Sequence, residues 1–183
     1  DSVNLLSSAL NSYGLGAEKA EVVSASLFKT IEIGRLRASD IADQFGSIAV
    51  LGNQLSIDLD ELNASLAALT VNGVKSDTAM TFLRGVMQKL VKPTEEMSEL
   101  LKEWGYETGQ AAISAEGFAA ILARISKETD GSSERFGELF NYVRAMQGAM
   151  GLAGHTADEF IETLYRFKDA SSDYAGAQKI MLD

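Results

Sequence analysis

One pattern that begins a helix occurs four times along the chain, and it restricts the possible folds more than any other feature. Each copy has a residue suited to an N-cap two positions before an acidic residue, and the four caps are Gly16, Asp58, Ser114 and Thr156. Asp, Ser or Thr at an N-cap accepts a hydrogen bond from an unpaired backbone N–H, and the positive end of the helix dipole favours the acid. The caps follow one another at about 42, 56 and 42 residues, a spacing that is typical of two-helix repeats.

Apolar residues flank three of these caps, one position before the cap and four positions after it. Such pairs pack as hydrophobic staples, and the candidates are Leu15 with Ala20, Ile57 with Leu62, and Ile113 with Phe118. The fourth copy has His155 before its cap, and this is the sole histidine of the chain. A single histidine forms neither a metal site nor a catalytic triad without partners, so we interpret His155 as a turn residue.

Apolar residues recur about every 3.6 positions after the first three caps, which predicts amphipathic helices of about four turns. The three stripes are Ala20, Val23, Leu27 and Ile31; Leu59, Leu62, Leu66 and Leu69; and Phe118, Ile121, Leu122 and Ile125. Gly34, Gly73 and Gly131 follow these stripes, at positions where a glycine in the left-handed conformation would end each helix.

A second cap follows each of these glycines and predicts a return helix. The return helices begin near Ser39, Ser76 and Ser132, and their apolar residues are Ile41, Phe45 and Ile48; Ala79, Phe82, Leu83, Val86 and Leu90; and Phe136, Leu139, Phe140, Val143 and Met146. Each repeat is therefore a helical hairpin. We expect an all-α fold in which repeated helical hairpins pack as an irregular helical bundle or short solenoid.

The longer spacing between the second and third caps indicates an insertion over residues 92–111. Pro93 ends the preceding helix, because proline disfavours helical geometry in the residue before it. Residues 95–104 are expected to form a short additional helix. The chain then divides into two helical hairpins over residues 9–91, the insertion over 92–111, and further hairpins over 112–183. Residues 1–183 as a whole are interpreted as a single all-helical fragment of a longer chain.

The composition argues against several classes of function. The chain has 26 acidic and 16 basic residues and a formal net charge of −10, whereas nucleic-acid binding depends on clustered Lys and Arg. The longest uncharged stretch, residues 2–17, contains 16 residues, and others contain about 13 or 14, fewer than the roughly 20 that a helix needs to span a bilayer. We therefore expect no specific nucleic-acid binding and no membrane span. The absence of cysteine excludes disulfides and thiolate metal sites.

Two short patterns superficially suggest a ligand site, and neither is complete. The pair Gly14 and Gly16 lacks the third glycine of a dinucleotide fingerprint, since that position holds Lys19. The acids that begin at Asp58 resemble the start of a calcium loop, but Asn63 stands where the loop requires glycine. Helix capping explains these acids better, so we expect no cofactor and no metal site.

Three glutamates share one face of the insertion helix, namely Glu95, Glu99 and Glu103. Paired carboxylates can serve as a general acid and base, but that role needs a cleft that raises the pKa of one of them. The sequence indicates no such cleft, and we interpret these residues as a solvated acidic face. No catalytic residue and no enzymatic activity are expected.

Two further segments have conspicuous residues without a complete motif. Trp104 and Tyr106 follow the insertion helix, beside Met97 and Leu101. These four residues form either a partner-binding patch or the core contact of the insertion, and the sequence leaves both alternatives open. The small-residue run over 148–154 permits close approach of another backbone, and we interpret it as a flexible stretch.

Three stretches of the chain combine apolar residues, small residues and glycines at characteristic spacings. Their residues are Ala9-Leu10, Tyr13-Gly14-Leu15, Ala17-Glu18 and Ala20; Ile57, Leu59-Asp60-Glu61-Leu62, Ala64, Leu66-Ala67, Leu69 and Gly73; and Ala79, Thr81 and Leu83-Arg84, continuing to Leu90 and Pro93. With these residues the chain resembles the core domain of phage tail tape measure proteins. The likeness is most specific over residues 9–93 and continues to about residue 167. One departure is Ser56, where such sequences often have a glycine; serine tolerates that turn.

The resemblance implies a structural role in the virion. Proteins of this family are long, mostly helical chains that occupy the lumen of the tail tube during assembly, set the tail length and leave at DNA ejection. The implied partners are tail tube proteins, tail tip or baseplate proteins and tail assembly chaperones, with self-association in a few copies. The implied locations are the tail tube lumen and, during assembly, the host cytoplasm.

The alternative function is that of a non-viral helical-repeat scaffold, which would bind a peptide or protein on a concave surface. A third class, an enzyme such as a cell-wall hydrolase, has no supporting group of residues in this sequence. The length of the parent chain and its flanking segments would distinguish the first two classes.

Overall fold

The structure, a computed structural model, describes residues 2–153 and 160–167. These residues contain no strand, so the all-α expectation is confirmed. The helices are α1 (Ser2–Ser12), α2 (Ala20–Gly34), α3 (Ala38–Gln54), α4 (Leu59–Val71), α5 (Ser76–Val91), α6 (Glu95–Glu103), α7 (Gly109–Glu116), α8 (Phe118–Glu128), α9 (Ser133–Phe140) and α10 (Val143–Ala153). A one-turn 3-10 helix over Ala17–Lys19 precedes α2, and residues 160–167 are also helical.

Two predicted helix starts are confirmed by their capping hydrogen bonds. At the start of α4, Oδ1 of Asp58 accepts a hydrogen bond from the N–H of Asp60 at 2.9 Å. At the start of α9, Oγ of Ser132 accepts one from the N–H of Arg135 at 3.5 Å. In both cases a local side chain supplies an acceptor for a backbone donor that the helix itself leaves unpaired.

The other predicted starts differ from the structure or lie outside it. The start at Ser114 is wrong, because Ser114 lies inside α7 and the next helix begins after Gly117, whose backbone leaves the helical conformation. Gly16 precedes the one-turn 3-10 helix and not α2 itself. The predicted cap Thr156 and the adjacent His155 lie outside the described residues.

Two of the three predicted glycine stops are confirmed. Gly73 and Gly131 have φ angles of 88° and 66°, in the left-handed region that suits a helix end. The prediction that Gly34 ends α2 in the left-handed conformation is wrong, because Gly34 is the last residue of the helix and Arg35 adopts that conformation instead. A Cβ added to Gly34 would lie 2.6 Å from Oγ1 of Thr70, so this glycine allows α2 to approach α4 closely.

The return helices begin close to the predicted caps, but the third is shorter than expected. Helices α3 and α5 begin at Ala38 and Ser76, and α9 begins at Ser133. Ser39 and Ser76 are wrong as caps, because both lie inside their helices and the N-cap positions are held by Arg37 and Lys75. The prediction of one helix through Met146 is wrong, because the left-handed conformation of Asn141 (φ 41°) separates α9 from α10. Val143, predicted as an apolar core residue, is 64% exposed at the start of α10.

Helix α6 occupies the insertion predicted over residues 92–111. Its N-cap is Thr94, whose Oγ1 accepts a hydrogen bond from the N–H of Met97 at 3.1 Å. The same hydroxyl donates to the backbone oxygen of Leu139 at 2.9 Å and so joins α6 to the end of α9. Residues 92–111 also contain the first residues of α7, which the sequence pattern does not indicate.

Helix α4 lies at the centre of the bundle. Every residue over 61–70 is buried, and α4 packs against α2, α3, α5 and α10. Of the predicted stripe, Leu62, Leu66 and Leu69 are buried, as expected, and Leu59 is half-buried. The expectation that α4 is amphipathic is wrong, because neighbouring helices also cover its polar side. Since four helices surround α4, the hairpins form a bundle and not a solenoid.

Glycines bring α5 and α10 into close contact. A Cβ added to Gly148 would lie 2.8 Å from the backbone oxygen of Phe82, and one added to Gly85 would lie 3.1 Å from the backbone nitrogen of Ala145. The close approach expected for the small-residue run is therefore confirmed. Its interpretation as a flexible stretch is wrong for residues 148–153, which belong to α10.

Substituting Gly148 tests this close helix contact. We expect Gly148→Ala to lower the free energy of unfolding by about 1–3 kcal/mol, because the added methyl group overlaps the backbone of α5. The matched control is Gly137→Ala, since a Cβ there meets only Sδ of Met146 at an ordinary 3.7 Å. The free energy of unfolding of the control should rise by up to about 1 kcal/mol, because alanine has a higher helix propensity than glycine. Urea unfolding measures both, and equal effects would contradict the proposed contact.

Ser56 adopts a φ of 60°, a left-handed conformation that is strained for a residue with a side chain. We expect Ser56→Gly to raise the free energy of unfolding by about 0.5–1 kcal/mol, because glycine removes this strain at some entropic cost. Asn53→Gly, placed in the last turns of α3, should instead lower it by up to about 1 kcal/mol. Thermal unfolding of both variants measures the difference, and a destabilising Ser56→Gly would contradict the assignment of strain.

Candidate functional site

Polar side chains form three clusters in this fold: one around α4, one around Trp104 and one along α6. Within residues 2–153 and 160–167, no group of three or more His, Cys, Asp or Glu side chains could hold a metal ion. Over the same described residues, no helix is both long enough and apolar enough to cross a membrane.

A buried polar network joins α2 to α4. The Oγ of Ser26 donates a hydrogen bond to Oδ1 of Asp60 at 2.5 Å, and Nδ2 of Asn63 donates to Oγ of Ser26 at 2.8 Å. Oγ1 of Thr30 donates to the backbone oxygen of Ser26 at 2.9 Å. Thr30 and Asn63 are fully buried, so these hydrogen bonds replace water that the Thr30 hydroxyl and Nδ2 of Asn63 lose on folding. Oδ1 of Asn63 has no hydrogen-bond partner.

Glu61 caps a helix that lies far along the chain. Its Oε2 accepts a hydrogen bond from the N–H of Phe118 at 3.1 Å, and its Oε1 accepts one from the N–H of Ala119 at 3.4 Å. Gly117 allows this approach, since its φ is 91° and an added Cβ would lie 3.1 Å from Oε1 of Glu61. Asp58, Asp60 and Glu61, the acids that resemble the start of a calcium loop, therefore accept hydrogen bonds from different groups.

The sequence predicts Glu61, three residues after the Asp58 cap, as the acid of a local arrangement close to a capping box. That prediction is wrong, because its carboxylate bonds to the N–H groups of Phe118 and Ala119 instead. Glu61 is 9% exposed, and its carboxylate bonds to the N-terminus of α8, where no acid and no capping side chain is available locally. Anionic acceptors are favoured at a helix N-terminus by the helix dipole and by the unpaired N–H groups. No local pattern could have identified this contact, because its two ends are 57 residues apart.

The Trp104 cluster consists of Trp104, Tyr106, Glu116 and Arg124. The guanidinium of Arg124 lies over the ring of Trp104, 4.2 Å from its centroid, in a cation–π arrangement. Arg124 also forms an ion pair with Glu116. The hydroxyl of Tyr106 donates a hydrogen bond to Oε1 of Glu116 at 2.7 Å. This cluster joins the loop after α6 to α7 and α8.

The structure separates the four residues of the predicted patch into two pairs. Met97 and Leu101 are buried in the core, whereas Trp104 and Tyr106 are half-buried at its edge. A partner could reach only the second pair in this structure. The sequence analysis missed Glu116, which no local pattern connects to the aromatic residues.

The hydrogen bond to Glu116 raises the pKa of Tyr106 above its ordinary value of 10.0, and partial burial and the charge of Glu116 act in the same direction. Only the neutral phenol can donate this hydrogen bond, which is why the folded state favours it. Burial also raises the pKa of Tyr13, whose hydroxyl donates to the backbone oxygen of Ile57 at 3.1 Å. The nearby carboxylates of α4 add to that shift.

An acidic groove of about 230 Å³ lies between α6, α8 and α9. Its charged lining residues are Glu96, Glu99, Glu103, Glu128, Arg135 and Glu138. The side chains predicted to form a solvated acidic face on α6 are all exposed, which agrees with that interpretation. The groove concentrates negative charge and would favour positively charged groups.

These observations define a class of protein: an all-α bundle whose conspicuous polar residues cap helices or join them to one another. The chain belongs to the family described as phage-related minor tail protein, which matches residues 1–120. The matched region extends from α1 through α7 and into the start of α8. Members of this family are structural phage tail proteins.

A curated protein named tape measure protein, from Pneumococcus phage Dp-1, is 25% identical to this chain over 180 residues. The alignment covers 97% of this chain and 16% of that relative, so the chain spans only a small part of the relative's length. No solved structure matches the chain. The resemblance to the tape measure family is thus confirmed, and family membership favours it over a non-viral scaffold.

Replacing Glu116 tests the electrostatics of the Trp104 cluster. We expect Glu116→Ala to let Tyr106 ionise at a lower pH, because the variant removes the acceptor and the negative charge that raise its pKa. Tyrosinate absorbance measures the titration, with Tyr106→Phe identifying the contribution of this residue. Glu107→Ala, which removes a neighbouring exposed acid, is the matched control and should leave the titration unchanged.

The sign of the accompanying stability change follows from the raised pKa. The unfolded Tyr106 ionises near 10.0, so the hydrogen bond contributes fully below that pH and is lost as the pH rises through the higher folded pKa. The free energy of unfolding should therefore fall more steeply over this alkaline range in the unmodified chain than in Tyr106→Phe. Identical titrations of Glu116→Ala and the unmodified chain would contradict the assignment.

Proposed function

We propose that this chain is part of a phage or prophage tail tape measure protein, which sets tail length by occupying the lumen of the tail tube during assembly and is released at DNA ejection. The observation that carries the proposal is the match to a tape measure protein over 97% of the chain. Because that match covers 16% of the relative, this chain would supply only part of the length-determining protein.

The charge of the chain supports a place in the path of DNA. A formal net charge of −10 disfavours persistent binding to phosphates, so the protein would not hold back the DNA that follows it. The proposed partners are tail tube proteins, tail tip or baseplate proteins, tail assembly chaperones and a few further copies of the same protein. The exposed faces of Trp104 and Tyr106 are the proposed contact with one of these partners.

The compact fold has a consequence for how this chain would measure length. A folded domain of this size has a radius of gyration of about 16 Å, and therefore a diameter of about 40 Å. One continuous helix of the same chain would span about 275 Å. The length that this chain would add to a tail therefore differs several-fold between the compact and the extended state.

An in-frame deletion of these residues from the parent gene tests the proposal. If the chain lies extended in the lumen, tails should shorten by about 275 Å. If it remains compact in the lumen, they should shorten by about 40 Å. Electron microscopy of negatively stained particles measures tail length. Tails of unchanged length would overturn the proposed role.

A matched replacement separates length from partner binding. An unrelated helical segment of equal length, placed where the deletion was made, should restore tail length if this chain acts through its extent. An in-frame duplication should lengthen tails by the amount that the deletion removes. Failure of the replacement to support tail assembly, with the duplication inactive as well, would indicate a specific contact and contradict the length-determining role.

A further inference from the structure

Helices α7 and α8 are one helical segment interrupted at Gly117. The N–H of Gly117 donates to the backbone oxygen of Ile113 at 2.8 Å, as in a continuing helix. The N–H of Ile121 donates to the backbone oxygen of Gly117 at 3.1 Å, so helical hydrogen bonding resumes directly after it. No proline occurs over residues 109–128, and the break depends on the conformation of one glycine.

Glu61 accepts the hydrogen bonds that the break leaves unmade. In a continuous helix, the N–H of Phe118 would donate to the oxygen of Ser114, and that of Ala119 to the oxygen of Ala115. In this structure both N–H groups donate to the carboxylate of Glu61. The bent arrangement therefore satisfies these donors only while α4 holds Glu61 in place.

We propose that Gly117 is a two-state joint. In the bent state, the carboxylate of Glu61 caps α8 and keeps it separate from α7. In the straight state, Gly117 adopts the right-handed helical conformation, and residues 109–128 form one helix of about 30 Å. Glycine is suited to both states, because it adopts positive and negative φ angles with similar ease.

The straight state is favoured by anything that moves Glu61 away from Gly117, since each state has its own set of acceptors for the same donors. Displacing α4 from the centre of the bundle would have this effect. The joint thus couples the packing of α4 to the shape of the chain 57 residues away. This inference concerns the isolated chain and does not depend on the proposed role in tail length.

Distance measurement between two spin labels tests the joint. The chain has no cysteine, so Ala111→Cys and Lys127→Cys, both at exposed positions, introduce the only labelling sites. In the straight state the two positions are about 24 Å apart along the helix axis. We expect a shorter distance in the otherwise unmodified chain and a shift towards the straight-helix distance in Glu61→Ala and Gly117→Ala.

The two variants act from opposite sides of the contact. Glu61→Ala removes the acceptor, whereas Gly117→Ala retains it but adds a Cβ 3.1 Å from Oε1 of Glu61 and strains the positive φ. Glu61→Gln should give an intermediate shift, because its amide oxygen still accepts a hydrogen bond without carrying charge. If Glu61→Ala loses its helical circular dichroism signal, Gly117→Ala alone decides the test.

Gly105→Ala is the matched control. Gly105 has nearly the same φ, 89°, but nothing lies within 4 Å of an added Cβ, and it is not between α7 and α8. The label distance should stay unchanged in this variant. The proposal is overturned if Gly117→Ala is folded and retains the shorter distance, or if Gly105→Ala shifts the distance as much.

Discussion

The burial of α4 on every side is the constraint on which the rest of the structure depends. A buried polar side chain without a partner costs free energy, because water does not reach it. Most polar side chains of α4 therefore have hydrogen-bond partners, whereas Oδ1 of Asn63 is buried without one. Ser65 and Thr70 therefore donate to backbone oxygens one turn earlier, at 2.6 and 3.0 Å. Asn63 bonds to α2, and Glu61 bonds to the start of α8. Asn63 and Glu61 thus join α4 to two particular helices, α2 and α8.

The sequence predicted several helix ends that local contacts decide, although it missed the left-handed Asn141 that ends α9. Asp58 caps α4 with its own side chain, and Gly73 and Gly131 end helices through their own backbone conformation. Ser114 has the same local pattern and is not a cap, because a carboxylate from α4 stabilises a helix start beyond it. Gly34 resembles a stop but makes room for Thr70 of α4. Both errors concern positions where a distant residue decides the outcome.

In the candidate site, too, the sequence identifies some residues from local features and misses others whose contacts come from distant residues. Trp104 and Tyr106 are conspicuous in the sequence because they are aromatic residues beside a charged helix. Their partners Glu116 and Arg124 come from two helices that separate only at the bend. A pattern that predicts one continuous helix there cannot place both partners beside the aromatic pair. The family resemblance, by contrast, rests on the spacing of apolar residues and glycines, which the chain retains regardless of tertiary contacts.

The composition of α4 also bears on whether the bundle can open. Its ten buried residues include three leucines, and the remainder are alanines or polar residues. Burying one leucine side chain stabilises a fold by about 1.5–3 kcal/mol, whereas an internal hydrogen bond contributes about 0.5–1.5 kcal/mol net because water can replace it. Exposing α4 therefore sacrifices less free energy than exposing a leucine-rich helix of the same length. For a chain proposed to measure length, this composition lowers the free-energy cost of moving α4 out of the compact state.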